Sequence, residues 1–95
     1  MRHLLDTTEF NKDELHALIA LGREMKANPA AFRTGLAGKN IVTLFEKQSL
    51  RTRVTFDIGI NRLGGHAVYL DQQNGAMGQR ESVKDFAANL SRWCD

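Results

Sequence analysis

Ninety-five residues set an expectation of one small domain, and 42% hydrophobic with 25% charged residues place the chain in the ordinary globular range, away from disordered sequences. No apolar run reaches the roughly 20 residues of a membrane-spanning helix, and the single cysteine, Cys94, excludes an internal disulfide. Thirteen basic against eleven acidic residues leave a net charge of +2, too even for the concentrated basic face of a non-specific DNA binder.

The chain opens Met-Arg-His-Leu-Leu-Asp and meets an acidic residue before a signal-peptide core forms, so the expected location is the cytoplasm. Asn11 followed three residues later by Glu14 fits a capping box at the start of a first helix. Leu15, Leu18, Ile19, Gly22 and Met25 then share one face at helical spacing, the expected buried side. Asn28-Pro29 stops the helix, because a residue before proline is pushed out of the helical region. Residues 30–39 form a connector with two glycines. Residues 40–45, Asn-Ile-Val-Thr-Leu-Phe, have the apolar, partly β-branched pattern of a buried strand.

After a turn over 46–49, a second helix is expected from about Arg51 to Leu63, burying Phe56, Gly59, Ile60 and Leu63 and ending at Gly64-Gly65. Residues 66–70, His-Ala-Val-Tyr-Leu, read as a second strand. Strand, helix, strand at this length is a βαβ unit, with parallel strands and a right-handed crossover. Residues 71–80 read as a polar loop. Ser82 with Asp85 starts a third helix whose Val83, Phe86, Ala87, Leu90 and Cys94 share a face, with Trp93 beside them. Core packing accounts for Trp93 and the phenylalanines. A pattern closing on a helix would lead into another strand, and two parallel strands are few for a sheet normally buried on both faces. The expectation is therefore an N-terminal piece of a longer protein.

Chemistry concentrates between the first strand and the second helix. Residues 39–53 carry Lys39, Lys47, Arg51 and Arg53 against Glu46 alone, a net +3 in fifteen residues. Helix starts present unpaired N–H groups and partial positive charge, and ligands of open α/β sheets bind beyond such strand ends. Ser49 and Thr52 add hydroxyls, and Arg51 adds a planar fork able to hold two phosphate oxygens. No Gly-rich nucleotide cradle of either common spacing occurs. The competing reading is a solvated charged face, its arginines paired with Glu46 and Asp57. Cys94 and three scattered histidines, His3, His16 and His66, make no metal-ligand set; His66 reads as a strand-opening residue and Cys94 as a half-buried helix residue.

The run 49–53, Ser-Leu-Arg-Thr-Arg, resembles the S-x-R-T-R signature of the aspartate/ornithine carbamoyltransferase family. The flank Phe45-Glu46-Lys47, the Leu63-Gly64-Gly65-His66 turn, the G-x-x-E-S-x-x-D run from Gly78 to Asp85, and Lys39-Asn40-Ile41 resemble the same family, the flank favouring its ornithine branch over its aspartate branch. The resemblance implies an α/β, three-layer parallel-sheet carbamoyl-phosphate-binding domain, present here as an incomplete series of helix, strand, helix, strand, helix. It also implies that residues 1–95 are the N-terminal domain in part, with the amino-acid-binding domain absent.

Carried over by position, Ser49, Leu50 (through its backbone), Arg51 and Thr52 would hold the phosphate of carbamoyl phosphate, and Arg51 would also reach the carbamoyl oxygen as the catalytic residue. Arg53 would brace the loop through ion pairs or touch ligand. Arg80 would belong to a loop reaching a neighbouring subunit of a homotrimer, or be a solvated loop charge. Ala76 stands where the ornithine enzymes often have glutamine, a contact left to Gln73 or Gln79. The substrates implied are carbamoyl phosphate and ornithine, giving citrulline in amino-acid (arginine) biosynthesis. No metal, cofactor, nucleic acid or membrane is implied. The family's H-P-x-Q, D-x-x-x-S-M-G and H-C-L-P segments have no counterpart in these residues, so the 95 residues alone are expected to lack transferase activity. Two other readings stay open, a stand-alone phosphate-binding module and a basic nucleic-acid-binding domain.

Overall fold

The structure is a computed structural model that describes residues 3–47, 49–70 and 82–95. The chain divides into two compact units, Met1–Ala31 and Phe32–Asp95.

In the first unit a short 3-10 turn, Thr7–Glu9, is capped by the Asp6 carboxylate, which accepts a hydrogen bond from the Thr8 N–H at 3.1 Å. Helix α1 follows over Lys12–Ala27. Its capping box is complete: Asn11 Oδ1 accepts from the Glu14 N–H at 2.8 Å, and Glu14 Oε1 accepts from the Asn11 N–H at 3.2 Å. Asn28 ends the helix ahead of Pro29, as expected from the backbone restriction before proline. The apolar stripe is real but less covered than its spacing suggests: Leu15 and Met25 are half-buried, while Leu18 and Ile19 are exposed.

The second unit carries the βαβ element. Strand β1, Asn40–Leu44, and strand β2, His66–Leu70, pair in parallel with Asn40 opposite His66 and Leu44 opposite Leu70. Helix α2, Leu50–Arg62, connects them and packs on both strands. The core lies there: Ile60 of α2 is 7% exposed and Thr43 of β1 is 6% exposed. Gly64 leaves the helix at φ +85°, and a β-carbon there would stand 2.5 Å from the Arg33 carbonyl oxygen. Gly is demanded twice over at this position. From the turn, the Leu63 carbonyl accepts from the Leu36 N–H at 2.8 Å, and the His66 N–H donates to the Lys39 carbonyl at 2.9 Å.

Helix α3, Val83–Trp93, starts at Ser82, whose hydroxyl accepts from the Asp85 N–H at 3.1 Å. At its far end the Cys94 thiol is half-buried and donates to the Leu90 carbonyl at 3.0 Å. Asp95 then returns to the start of β1. Its N–H donates to the Asn40 carbonyl at 2.8 Å, and its carboxylate accepts from the Asn40 N–H at 2.9 Å and pairs with Lys39 Nζ at 3.4 Å. The backbone hydrogen bond from Asn40, followed by the Lys39 contact, holds the Asp95 carboxyl below the usual carboxylate range.

Besides Leu18 and Ile19, two more side chains read as core from the sequence are exposed. Phe56 is 55% exposed and Trp93 is 71% exposed. Helical spacing marks which side of a helix is apolar, whereas covering that side needs a facing layer, and a two-stranded sheet has little area to give. The loop read over 71–80 lies outside the described residues.

Candidate functional site

Strand β1 ends at Leu44 and helix α2 begins at Leu50, so the charged run from Lys47 to Arg53 straddles a strand-to-helix junction. Ser49 occupies the N-cap in extended conformation (φ −142°, ψ 103°), but its side chain makes no capping hydrogen bond. The Ser49 hydroxyl donates instead to the Thr52 hydroxyl at 2.9 Å. At α1 and α3 the cap side chain takes the N–H of the third helical residue. At α2 no cap side chain does so. The first intrahelical bond to the Ser49 carbonyl comes from the Arg53 N–H, at 3.0 Å, so the N–H groups of Leu50, Arg51 and Thr52 lie beyond the helix's own ladder. They add to the partial positive charge of the helix start.

The two arginines of the first turn are two residues apart, a rotation of about 200° around the helix. Arg53 turns to the sheet. Its guanidinium carbon lies 3.5 Å from the centroid of the Tyr69 ring on β2, and its Nε lies 3.8 Å from Asp57 Oδ2 one turn along. An exposed stack of this kind contributes about 0.5–1 kcal/mol, and the ion pair about 0.3–0.5 kcal/mol. Arg51 is exposed, and among the described residues its guanidinium has no hydrogen-bond or ion-pair partner; its carbonyl accepts from the Thr55 hydroxyl at 2.7 Å. One cation of the turn is thus engaged with the sheet and with Asp57, and the other is unpaired among the described residues.

A cleft of about 240 Å³ opens beside this turn, lined by Phe45, Ser49, Leu50, Arg53 and Tyr69. The Phe45 ring also meets Phe56 edge-on at 6.4 Å between centroids. Of the residues proposed from the sequence, Ser49, Leu50 and Arg53 line the cleft, while Thr52 does not line it and is hydrogen-bonded to Ser49, which does. Arg51 stands on the same turn outside the lining. Arg80, and with it Gln73, Ala76 and Gln79, lies outside the described residues. Glu46, expected as an ion-pair partner in the solvated-face reading, forms no ion pair among the described residues, whereas Asp57 does.

Tyr69 and Phe45 are the site residues that the motif alone does not reveal. Their signal is the two-residue period of the strands: Thr43 and Tyr69 are cross-strand partners, and Phe45 follows Thr43 by two. All three therefore fall on the side of the sheet that meets α2. Among the described residues no three His, Cys, Asp or Glu side chains group as a metal site would.

The family model described as aspartate/ornithine carbamoyltransferase, carbamoyl-P binding domain, matches residues 2–95. An ornithine carbamoyltransferase of Moritella profunda is 64% identical over 95 residues, covering 100% of this chain and 32% of that protein. The crystal structure of the anabolic ornithine carbamoyltransferase from Campylobacter jejuni superposes with a TM-score of 0.91 at 34% identity, covering 100% of this chain and 31% of that one. The catalytic subunit of M. jannaschii aspartate transcarbamoylase gives a TM-score of 0.84 at 28% identity, covering 100% of this chain and 32% of that one. The chain spans about a third of the length of these relatives. With the signature run seated at the junction of a parallel strand and a helix, and with sequence and fold matched from end to end, the chain belongs to the aspartate/ornithine carbamoyltransferase family.

Proposed function

We propose that the start of α2 binds the phosphate of carbamoyl phosphate and that the complete protein carrying it transfers the carbamoyl group to ornithine. The observation that carries this reading is the division of labour in the first turn. Ser49 leaves the N–H groups of Leu50, Arg51 and Thr52 uncapped, and Arg51 is unpaired among the described residues, while Arg53 is held on Tyr69. Uncapped helix N–H groups and a free guanidinium suit a phosphate dianion. The ornithine carbamoyltransferases among the relatives favour ornithine as the acceptor.

The chemistry asks for positioning and for stabilisation of negative charge. The side-chain amine of ornithine attacks the carbonyl carbon of carbamoyl phosphate, a C–N bond forms, and the tetrahedral intermediate expels phosphate as the C–O bond breaks, the amine's proton passing to the departing phosphate. Ser49, the Leu50 N–H and Thr52 hold the phosphate. Arg51 forks between phosphate and the developing oxyanion, where preorganised charge is worth most. Arg80 from a neighbouring subunit completes the site in a cytoplasmic homotrimer, and the 95 residues alone are inactive because the amine-binding half lies elsewhere.

The test is citrulline formation by the complete protein. Arg51→Ala should lower kcat/KM by about 100- to 1,000-fold, the scale of losing one donor to a developing oxyanion. An unchanged rate, or carbamoylation of aspartate in preference to ornithine, contradicts the proposal. Steep, salt-dependent binding of random DNA with no affinity for carbamoyl phosphate would restore the nucleic-acid reading.

A further inference from the structure

The motif residues explain what meets the phosphate; they do not explain what keeps the first turn of α2 in place when it does. Arg53 is the residue in that turn that reaches the sheet, and the group it meets is an aromatic face. Its guanidinium lies 3.5 Å from the Tyr69 ring centroid, with the Nε edge directed to Asp57 at 3.8 Å. A planar cation stacked on one face and paired along one edge has its orientation fixed in two directions. Tyr69 is in turn fixed by β2, one residue before the strand ends, where it faces Thr43 across the parallel ladder. Thr43 is 6% exposed, among the most buried of the described residues, so the base of this stack stands on the buried part of the sheet.

We propose that Tyr69 is a positioning residue for the phosphate site, acting through Arg53 and not through contact with the ligand. The stack sets the height of the first turn of α2 above the sheet, and with it the directions of the Leu50, Arg51 and Thr52 N–H groups. By engaging Arg53, it also leaves Arg51 as the guanidinium available to the anion. The inference rests on the proposed phosphate site and adds to it a residue outside the signature. It is the ring face that matters: the Tyr69 hydroxyl has no part in the stack.

The experiment compares Tyr69→Phe, Tyr69→Leu and Arg53→Lys in the complete protein, measuring KM separately for carbamoyl phosphate and for ornithine. Tyr69→Phe keeps the face and should stay within about twofold of the native KM for carbamoyl phosphate. Tyr69→Leu and Arg53→Lys should each raise that KM by roughly 2- to 30-fold, the span of a cation–π contact, with the ornithine KM held within about twofold. Their double variant should be no worse than the worse single, since both remove one contact. Val68→Ala, on the opposite side of β2 by the strand period, controls for stability loss and should leave the carbamoyl phosphate KM unchanged.

An unaltered KM in Tyr69→Leu, equal losses in Tyr69→Phe and Tyr69→Leu, or additive losses in the double variant would overturn the inference. Should Tyr69→Leu fail to fold, Arg53→Lys decides in the same assay: a native-like KM for carbamoyl phosphate overturns it. A native protein indifferent to carbamoyl phosphate, or to Arg51→Ala, removes the proposed function first and this inference with it. Loss confined to the Tyr69 and Arg53 comparison leaves that function standing.

Discussion

Single positions in this chain are constrained by their neighbours to very different degrees. Arg51 and Arg53 carry the same side chain two residues apart, yet the helical rotation sends one onto Tyr69 and leaves the other exposed. Gly64 is the opposite case, a residue fixed by the absence of a side chain. Its φ of +85° is unfavourable for an L-residue, and a β-carbon would press on the Arg33 backbone oxygen at 2.5 Å. Gly64→Ala should therefore cost about 2–4 kcal/mol in urea unfolding of the complete protein, combining the left-handed backbone with the clash. A loss below about 0.5 kcal/mol would mean that the turn after α2 is not held as described.

At the scale of elements, the helix starts separate structural capping from a start left open. Asn11 and Glu14 satisfy each other's backbone donors at α1, and Ser49 at α2 does not satisfy its own helix. Asn11→Ala should cost about 1 kcal/mol of stability. Ser49→Ala should cost a few tenths of that at most and should instead weaken carbamoyl phosphate binding; paired urea titrations and ligand titrations read the two effects apart. If Ser49→Ala destabilises as much as Asn11→Ala does, its hydroxyl is serving the helix and not a ligand. The end of α3 makes a second elemental prediction. The Asp95 carboxyl is held below its ordinary 3.8 by the Asn40 N–H and Lys39. A lowered folded value gives stability that is complete above the ordinary value and is lost as pH falls through the folded one. The native protein should thus be more stable than Asp95→Asn at pH 7, and the gap should close below pH 3.8. A gap that persists unchanged in acid would show that the carboxylate is not the group responsible.

For the whole molecule, legibility followed the physics of each signal. Strand β2 is readable to the residue, because Gly64-Gly65 and the amide-rich run after Leu70 punctuate it on both sides. The first helix is equally plain from Asn11, Glu14 and Pro29, since caps and proline act locally. Burial is not local. Leu18, Ile19, Phe56 and Trp93 lie at core spacing yet are exposed, because periodicity identifies an apolar side and says nothing of what faces it. The candidate site divides the same way. Ser49 to Arg53 are legible as a motif at a strand-to-helix junction, whereas Tyr69 is distant in sequence and joins them only through the parallel register with Thr43.

The central claim concerns where a phosphate sits, and a crystal structure of the complete protein with carbamoyl phosphate bound measures that directly. The phosphate oxygens should lie within hydrogen-bond distance of the Leu50, Arg51 and Thr52 N–H groups, the Ser49 hydroxyl and the Arg51 guanidinium, with Arg53 still stacked on Tyr69. A phosphate bound away from the first turn of α2, or held there by Arg53 with its stack on Tyr69 broken, would contradict the account.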